Sequence, residues 1–184
     1  MGYNIAVAGK GGTGKTSLTG LLVNNLTTNN KGPVLVVDAD ANANINEVLG
    51  IEVETTIGSI REEVNQREKQ GNAFPGGMTK AQYLQYRLNT CLAEGDGYDL
   101  IVMGRSEGEG CYCYVNGILR EQTDKLSDAY EYLVIDNEAG MEHISRGILP
   151  KVDTMILVSD CSGRSVQTAG RIAELVNESN MNPK

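Results

Sequence analysis

The sequence predicts a single α/β domain over residues 1–184, built on a mostly parallel sheet with helices on both faces. Short runs rich in Val, Ile and Leu alternate with longer, helix-compatible segments. The runs are nearly continuously apolar rather than alternating, which is typical of strands buried on both faces of a parallel sheet. They are Tyr3–Ala8, Val34–Asp38, Tyr98–Gly104, Tyr132–Asp136 and Thr154–Ser159. Regular alternation of strand and helix indicates a three-layer α/β fold.

The segments between these runs predict the helices and one loop. A helix is expected after the first strand and another after the last, and the region between the second and third strands is irregular. The loop is Gly71–Met78, which contains several helix breakers. The expected helices are Lys15–Asn30, Ile57–Gln70, Thr79–Ala93 and Arg164–Ser179. The chain ends directly after a helix, where a further strand is expected, so we expect a C-terminal portion to be missing.

Charge and hydropathy exclude several classes of partner. The formal net charge is −8 and no run of Lys and Arg occurs, which disfavours binding to nucleic acid or to an anionic membrane. No stretch reaches the ~18 apolar residues of a membrane helix. The N-terminus lacks the pattern of a signal peptide. We therefore expect a cytoplasmic protein whose 4 cysteines are thiols or metal ligands rather than disulfides.

A glycine-rich segment between the first strand and the first helix predicts a phosphate-binding loop. Residues 9–16 read GKGGTGKT and fit the pattern G-x-x-x-x-G-K-[ST]. Glycines let successive backbone amides point at phosphate oxygens, and the following helix N-terminus adds partial positive charge. Lys15 is expected to reach the β- and γ-phosphates, and the Thr16 hydroxyl to bind magnesium. The candidate nucleotide-binding residues are Gly9, Lys10, Gly11, Gly12, Thr13, Gly14, Lys15, Thr16 and Ser17.

Lys10 is a second lysine within this loop. A loop with both lysines resembles the deviant Walker A class of P-loop NTPases, which includes MinD, ParA and the nitrogenase iron protein. The resemblance implies an ATPase that forms a homodimer with ATP, in which Lys10 reaches the phosphates of the partner subunit. Lys10 and Lys15 are accordingly catalytic candidates.

Two aspartates end the second strand in the sequence Asp38-Ala39-Asp40. In open α/β sheets the ligand crevice lies at the carboxyl ends of the strands. By resemblance to the class, Asp40 orients the attacking water and is a catalytic candidate, and Asp38 belongs to the magnesium shell. A proline commonly follows the second aspartate in the class, whereas this chain has Ala41. The alternative is that both aspartates cap a helix over Asn42–Leu49.

Asp136 ends another apolar strand and is followed by Asn137-Glu138-Ala139-Gly140. A carboxylate in this position is expected beside magnesium. Gly140 is able to turn the backbone toward the γ-phosphate. The alternative is a plain turn at the end of a strand. The predicted magnesium ligands are therefore Thr16, Asp38 and Asp136.

Cys111 and Cys113 form a C-x-C pair behind a glycine-rich segment. Two thiolates leave a tetrahedral ion half coordinated, and a symmetric dimer supplies two more. Such a site suits zinc, copper(I) or nickel. The alternative is that both cysteines are merely small buried side chains.

The two-lysine loop, the C-x-C pair and the segment Ala139–Gly147 together resemble the CooC family of carbon monoxide dehydrogenase maturation ATPases, over nearly the whole chain. The resemblance implies that Cys111 and Cys113 hold Ni²⁺ or Zn²⁺ at the dimer interface. It further implies a nickel-enzyme client such as CO dehydrogenase or acetyl-CoA synthase. Cys91 and Cys161 are expected to be structural, and His143 to form a structural hydrogen bond rather than to act as a ligand or base.

Three other functions remain open at this point. The first is a positioning ATPase of the ParA or MinD type. The second is an iron–sulfur reductase like the nitrogenase iron protein, because thiolates also hold iron. The third is a nucleotide-binding module without turnover.

Overall fold

The computed structural model describes residues 2–42, 44–105, 112–137 and 152–178, without the side chains of residues 112–116 and 127. Its centre is a six-stranded sheet in the order β3-β4-β2-β5-β1-β6. All neighbouring strands are parallel except β3, which is antiparallel to β4. The strands are β1 (Tyr3–Gly9), β2 (Val34–Asp38), β3 (Ala93–Glu94), β4 (Tyr98–Val102), β5 (Tyr132–Asp136) and β6 (Thr154–Val158). The predicted mostly parallel α/β fold is confirmed.

Helices cover both faces of this sheet. They are α1 (Lys15–Thr28), α2 (Ile45–Leu49), α3 (Ile57–Lys69), α4 (Lys80–Leu88), α5 (Tyr112–Ser127) and α6 (Gly163–Glu178), with a 3₁₀ turn at Pro75–Gly77. Thr56 begins α3 and Thr79 begins α4, each with a reciprocal capping box. None of the helices among the described residues is long and apolar enough to cross a membrane.

The prediction of a helix over Thr79–Ala93 is wrong at its C-terminal end. It ends at Leu88, and Ala93–Glu94 instead form the short edge strand β3. The Gly95 amide donates to the Tyr98 carbonyl at 2.8 Å, which closes a hairpin onto β4. The hairpin requires Gly97 in the left-handed region, at φ 79°.

Alternate residues of the central strands pack into two apolar cores, one on each face of the sheet. In β2, Leu35 and Val37 face the core beneath α3 to α6, whereas Val34 and Val36 face the core beneath α1 and α2. All four side chains are buried. The continuous apolar runs are therefore explained by burial on both faces.

The N-terminal turn of α3 lies unusually close to the exit of β4. The Gly58 amide donates to the Met103 carbonyl at 2.8 Å. A Cβ at Gly58 would overlap the carbonyl oxygen of Arg105. Only glycine therefore allows this approach of helix to strand.

We expect Gly58→Ala to lower the free energy of unfolding by about 1–3 kcal/mol, because the added methyl forces the backbone of α3 away from Arg105. Gly170→Ala in α6 is the matched control, since a Cβ there meets no atom within 4 Å. It should raise stability by up to about 1 kcal/mol through helix propensity. Urea unfolding measures both values, and equal effects of the two substitutions would contradict the close approach.

Candidate nucleotide site

The glycine-rich segment forms a loop between β1 and α1, at the carboxyl edge of the sheet. Gly12 and Gly14 adopt left-handed φ angles of 78° and 91°. A Cβ at either position would meet no atom within 4 Å, so conformation rather than space requires glycine there. The Thr13 hydroxyl donates to the Lys10 carbonyl at 2.8 Å and closes the turn.

Lys15 lies inside this loop. Its side chain is buried, and its Nζ donates to the Lys10 carbonyl at 3.3 Å. Gly14 precedes α1 and offers no side-chain cap to the first amides of that helix. The loop therefore combines an ammonium group with uncapped helix amides, and these are the groups that bind anions.

Asp38 and Asp136 lie side by side at the same edge of the sheet. They are register partners on the neighbouring strands β2 and β5. Both side chains are buried, with exposed fractions of 1% and 2%. Asp136 is also the register partner of Val7 on β1, just before the phosphate loop. The sheet order thus brings together the groups that the sequence predicts for nucleotide and magnesium.

The Asp136 carboxylate is held by hydroxyl groups of α1. Thr16 donates a side-chain hydrogen bond to it, and Thr19 Oγ1 donates to its Oδ1 at 3.3 Å. Burial raises the pKa of Asp136, and the two hydroxyls and the nearby Lys15 charge partly offset that effect. Two of the residues predicted to bind magnesium, Thr16 and Asp136, are therefore joined by a hydrogen bond.

Burial raises the pKa of Asp38 to about 6, and repulsion from Asp136 and Asp40 adds to this effect. Backbone amides oppose it: Asp40 N donates to Oδ1 at 3.0 Å, and Asn44 N and Ile45 N donate to Oδ2 at 3.0 and 3.2 Å. Asp38 thus accepts the first amide of α2, as the capping alternative supposed. The helix begins at Ile45 rather than at Asn42.

These side chains fit a bound magnesium ion. Magnesium prefers carboxylate, hydroxyl and water oxygens. Here two buried carboxylates repel each other beside the Thr16 hydroxyl, and the pKa of each is raised. A divalent cation would relieve this repulsion, so the oxygen donors and their negative charge suit magnesium.

Asp40 lies in the loop after β2 and is only partly buried. Its Oδ1 accepts hydrogen bonds from Asn42 N at 2.8 Å and from Asn42 Nδ2 at 3.2 Å. The Asn42 side-chain oxygen in turn accepts a hydrogen bond from Arg105. Asp40 does not cap α2, which removes that alternative for this residue.

Sequence reasoning did not find Thr19 or Asn137. Thr19 is fully buried and stands four residues after Lys15 on α1, and this spacing was the available signal. The amide and the side-chain Nδ2 of Asn137 donate to the Val7 carbonyl at 3.1 and 2.9 Å. Asn137 therefore ties the end of β5 to β1 beside the phosphate loop.

The predicted metal ligands fall largely outside the described residues. Cys111 lies outside them, as do Gly140 and His143; the backbone of Cys113 is in the first turn of α5, but its side chain is not described. No group of three or more potential metal ligands occurs in the described part of the chain. The four-thiolate site therefore stays a prediction.

The other two cysteines differ from each other. Cys91 is buried, as a structural role requires, and burial raises the pKa of its thiol to about 11. Cys161 is exposed instead, after β6, so a buried structural role does not apply to it.

Comparison with known proteins assigns the family. A family model described as an AAA domain matches residues 3–183, and the chain belongs to this family of P-loop ATPases. It is 50% identical over 174 residues to an uncharacterized ATP-binding protein of Methanocaldococcus jannaschii, covering 95% of this chain and 68% of that protein. It is 31% identical over 186 residues to the carbon monoxide dehydrogenase accessory protein CooC of Rhodospirillum rubrum, covering 95% and 69%.

Solved structures agree on the fold. The ParA family ATPase of Chlorobium tepidum superposes with a TM-score of 0.68 at 19% identity, covering all of this chain and 70% of that one. MinD of Pyrococcus horikoshii, complexed with Mg-ADP, gives a TM-score of 0.67 at 20% identity, with coverage of 97% and 66%. Both solved structures therefore share the fold of this chain.

We expect Thr19→Val to lower the free energy of unfolding by about 1–3 kcal/mol, because the buried Asp136 carboxylate loses a donor. Thr27→Val is a matched control on the same helix. Both hydroxyls donate to a carbonyl four residues earlier, but only Thr19 also donates to a carboxylate. The control should change stability by less than about 0.5 kcal/mol. Chemical unfolding measures both, and Thr19→Ser should retain most of the parent stability.

Proposed function

We propose that this chain is a dimer-forming ATPase that uses the ATP cycle to bind and release a nickel ion at Cys111 and Cys113 for insertion into a nickel enzyme. One observation carries the proposal. Asp38 is the register partner of Val102 at the end of β4. The segment that leads to the cysteine pair therefore begins one strand away from the candidate magnesium ligands.

The nucleotide half of the proposal follows from the charges at the phosphate loop. Lys15 and the uncapped amides of α1 bind the phosphates of ATP. Thr16, Asp38 and Asp136 hold magnesium, which neutralises charge on the phosphate oxygens. Asp40 orients a water molecule for in-line attack on the γ-phosphorus, which yields ADP and phosphate.

The dimer in this proposal depends on Lys10. Its carbonyl oxygen is already used within the loop, by Thr13 and Lys15, while the residue itself is partly exposed at the loop surface. In a two-fold dimer with facing loops, Lys10 of one subunit reaches the phosphates of the other. A second ammonium group then stabilises the charge that develops during hydrolysis.

The metal-binding part of the proposal is argued from the number of thiolate ligands that each subunit supplies. Cys111 and Cys113 supply two thiolates in each subunit, and a two-fold axis brings four together. Opening of the dimer after hydrolysis halves the coordination and weakens binding of the ion. The nickel ion is thus cargo, whose affinity follows the nucleotide state.

Nickel and the client enzyme are supported by the 31% identical relative, which is a carbon monoxide dehydrogenase accessory protein. Clients of this chemistry are CO dehydrogenase and acetyl-CoA synthase. The 50% identical relative is named only as an ATP-binding protein, and therefore supports the nucleotide half alone.

We expect the parent protein to bind one Ni²⁺ or Zn²⁺ per dimer in the presence of Mg²⁺ and a non-hydrolysable ATP analogue. The double variant Cys111→Ser, Cys113→Ser should dimerise but lose this ion, because serine is a poor ligand for soft metals. Cys161→Ser is the matched control, since Cys161 is an exposed thiol after β6. Sedimentation with metal analysis measures both quantities.

Three outcomes of that measurement contradict parts of the proposal. Unchanged metal binding by the double variant removes Cys111 and Cys113 as ligands. Dimerisation of the parent without metal leaves the ATPase and favours a positioning ATPase of the MinD or ParA type. Brown protein with bound iron after anaerobic purification favours the reductase alternative.

We expect Mg²⁺-dependent affinity for nucleotide to fall as the pH drops through about 6. The pKa of Asp38 is about 6 without the cation, so protons compete with magnesium below that pH and not above it. The phosphates of the nucleotide titrate in the same range. Nucleotide-binding titrations of the parent and of Asp38→Asn, with Mg²⁺ and at a series of pH values, separate the effect of Asp38 from that of the phosphates. An identical pH dependence in the two proteins would show that Asp38 does not bind the cation.

A further inference from the structure

We propose that Arg105 is a positioning residue that holds the Asp40 carboxylate through Asn42 and links it to the exit of β4. The inference rests on the proposed function, in which Asp40 orients the attacking water and the cysteine pair follows β4. It adds a residue that neither the phosphate-loop motif nor the magnesium ligands include.

The first step is a relay of hydrogen bonds through one amide group. Arg105 Nη2 donates to the side-chain oxygen of Asn42. Asn42 Nδ2 donates to Asp40 Oδ1 at 3.2 Å, and Asn42 N donates to the same oxygen at 2.8 Å. The cation and the carboxylate therefore contact opposite ends of the same amide group, and each polarises the bond that the other makes.

The second step concerns the backbone of Arg105, which is fixed independently of its side chain. A Cβ at Gly58 would overlap the carbonyl oxygen of Arg105, and a Cβ at the preceding Gly104 would overlap the side chain of Thr56. Gly104 also adopts a left-handed φ of 65°, so both its conformation and the lack of space favour glycine at this position. The exit of β4 is thus packed against the N-terminus of α3, while the Arg105 side chain reaches the loop after β2.

The third step is the position of Arg105 in the chain. It stands six residues before Cys111 and eight before Cys113. The helix that contains Cys113, α5, packs against α3. A movement of Asp40 toward a bound nucleotide therefore pulls on Asn42 and Arg105, and so acts at the start of the segment that leads to the cysteines.

Two substitutions test the relay at different bonds. Arg105→Gln removes the cation. Asn42→Asp keeps an acceptor for Arg105 but replaces the donor to Asp40 by a repelling carboxylate. Arg120→Gln on α5 is the control, because Arg120 pairs with Asp124 on its own helix at 3.8 Å and removal changes the net charge equally.

The first readout is hydrogen exchange of the segment from Asp40 to Ile45 in nucleotide-free protein. We expect exchange to accelerate about threefold or more in Arg105→Gln and in Asn42→Asp, and to stay at the parent rate in Arg120→Gln. This readout needs no hydrolysis and no metal. Unchanged exchange in both variants overturns the relay, whatever the parent does with ATP or nickel.

The second readout is steady-state hydrolysis of ATP. We expect kcat to fall about tenfold in Arg105→Gln with KM within about twofold of the parent, because Asp40 is misplaced while the phosphate loop is intact. Arg105→Lys, which keeps a charged donor, should recover most of this loss. Asn42→Ala removes both side-chain hydrogen bonds of the relay and completes a cycle with Arg105→Gln. The variant with both substitutions should be no slower than the slower of these two single variants, since both interrupt one relay.

The outcomes separate this inference from the proposed function. Additive losses in the double variant, or an unchanged kcat in Arg105→Gln, overturn the role of Arg105 while leaving the ATPase in place. A parent that hydrolyses ATP but binds no metal contradicts the nickel function and leaves the relay supported by its exchange and kcat effects. Faster exchange and a lower kcat, together, support the assignment.

Discussion

Two buried carboxylates that lie side by side determine how the rest of this edge of the molecule is built. Asp38 and Asp136 are register partners in the middle of the sheet, where desolvation penalises their charge. Two neighbouring segments offset this penalty. Backbone amides of the loop and helix after β2 donate to Asp38, whereas Asp136 accepts hydrogen bonds from hydroxyls of α1 and lies near the Lys15 charge. A pair of buried like charges is costly, and a divalent cation bound between them would relieve the repulsion.

The capping and the metal-binding interpretations of Asp38 concern the same oxygen atoms. Asp38 Oδ2 accepts hydrogen bonds from the Asn44 and Ile45 amides. A cation bound by this carboxylate would compete with those amides for its oxygen atoms, and α2 is only five residues long. A helix this short owes its stability to packing and capping rather than to its own hydrogen bonds. In the proposed function, binding of magnesium by Asp38 would therefore change the capping at the start of α2 through this one side chain.

The sequence predicted what local patterns specify, and missed what distant contacts specify. Strands β2 and β5 have the expected bounds because each is a continuous apolar run ending in Asp. The strand β3 was missed because two residues carry no periodicity, and their pairing depends on the turn at Gly97. Arg105 was missed because its partner Asn42 is 63 positions away, and no spacing rule joins them.

The strand order separates the phosphate loop from the exit of β4. The phosphate loop follows β1, and β5 and β2 separate β1 from β4. At about 4.8 Å between neighbours, three strand spacings put the exit of β4 roughly 14 Å from that of β1. The loop that carries Asp40 and Asn42 leaves β2, which lies between β4 and β5, and its Asn42 side chain accepts a hydrogen bond from Arg105. The same strand order that places Asp38 and Asp136 side by side therefore puts the loop with Asp40 and Asn42 between the phosphate loop and the exit of β4.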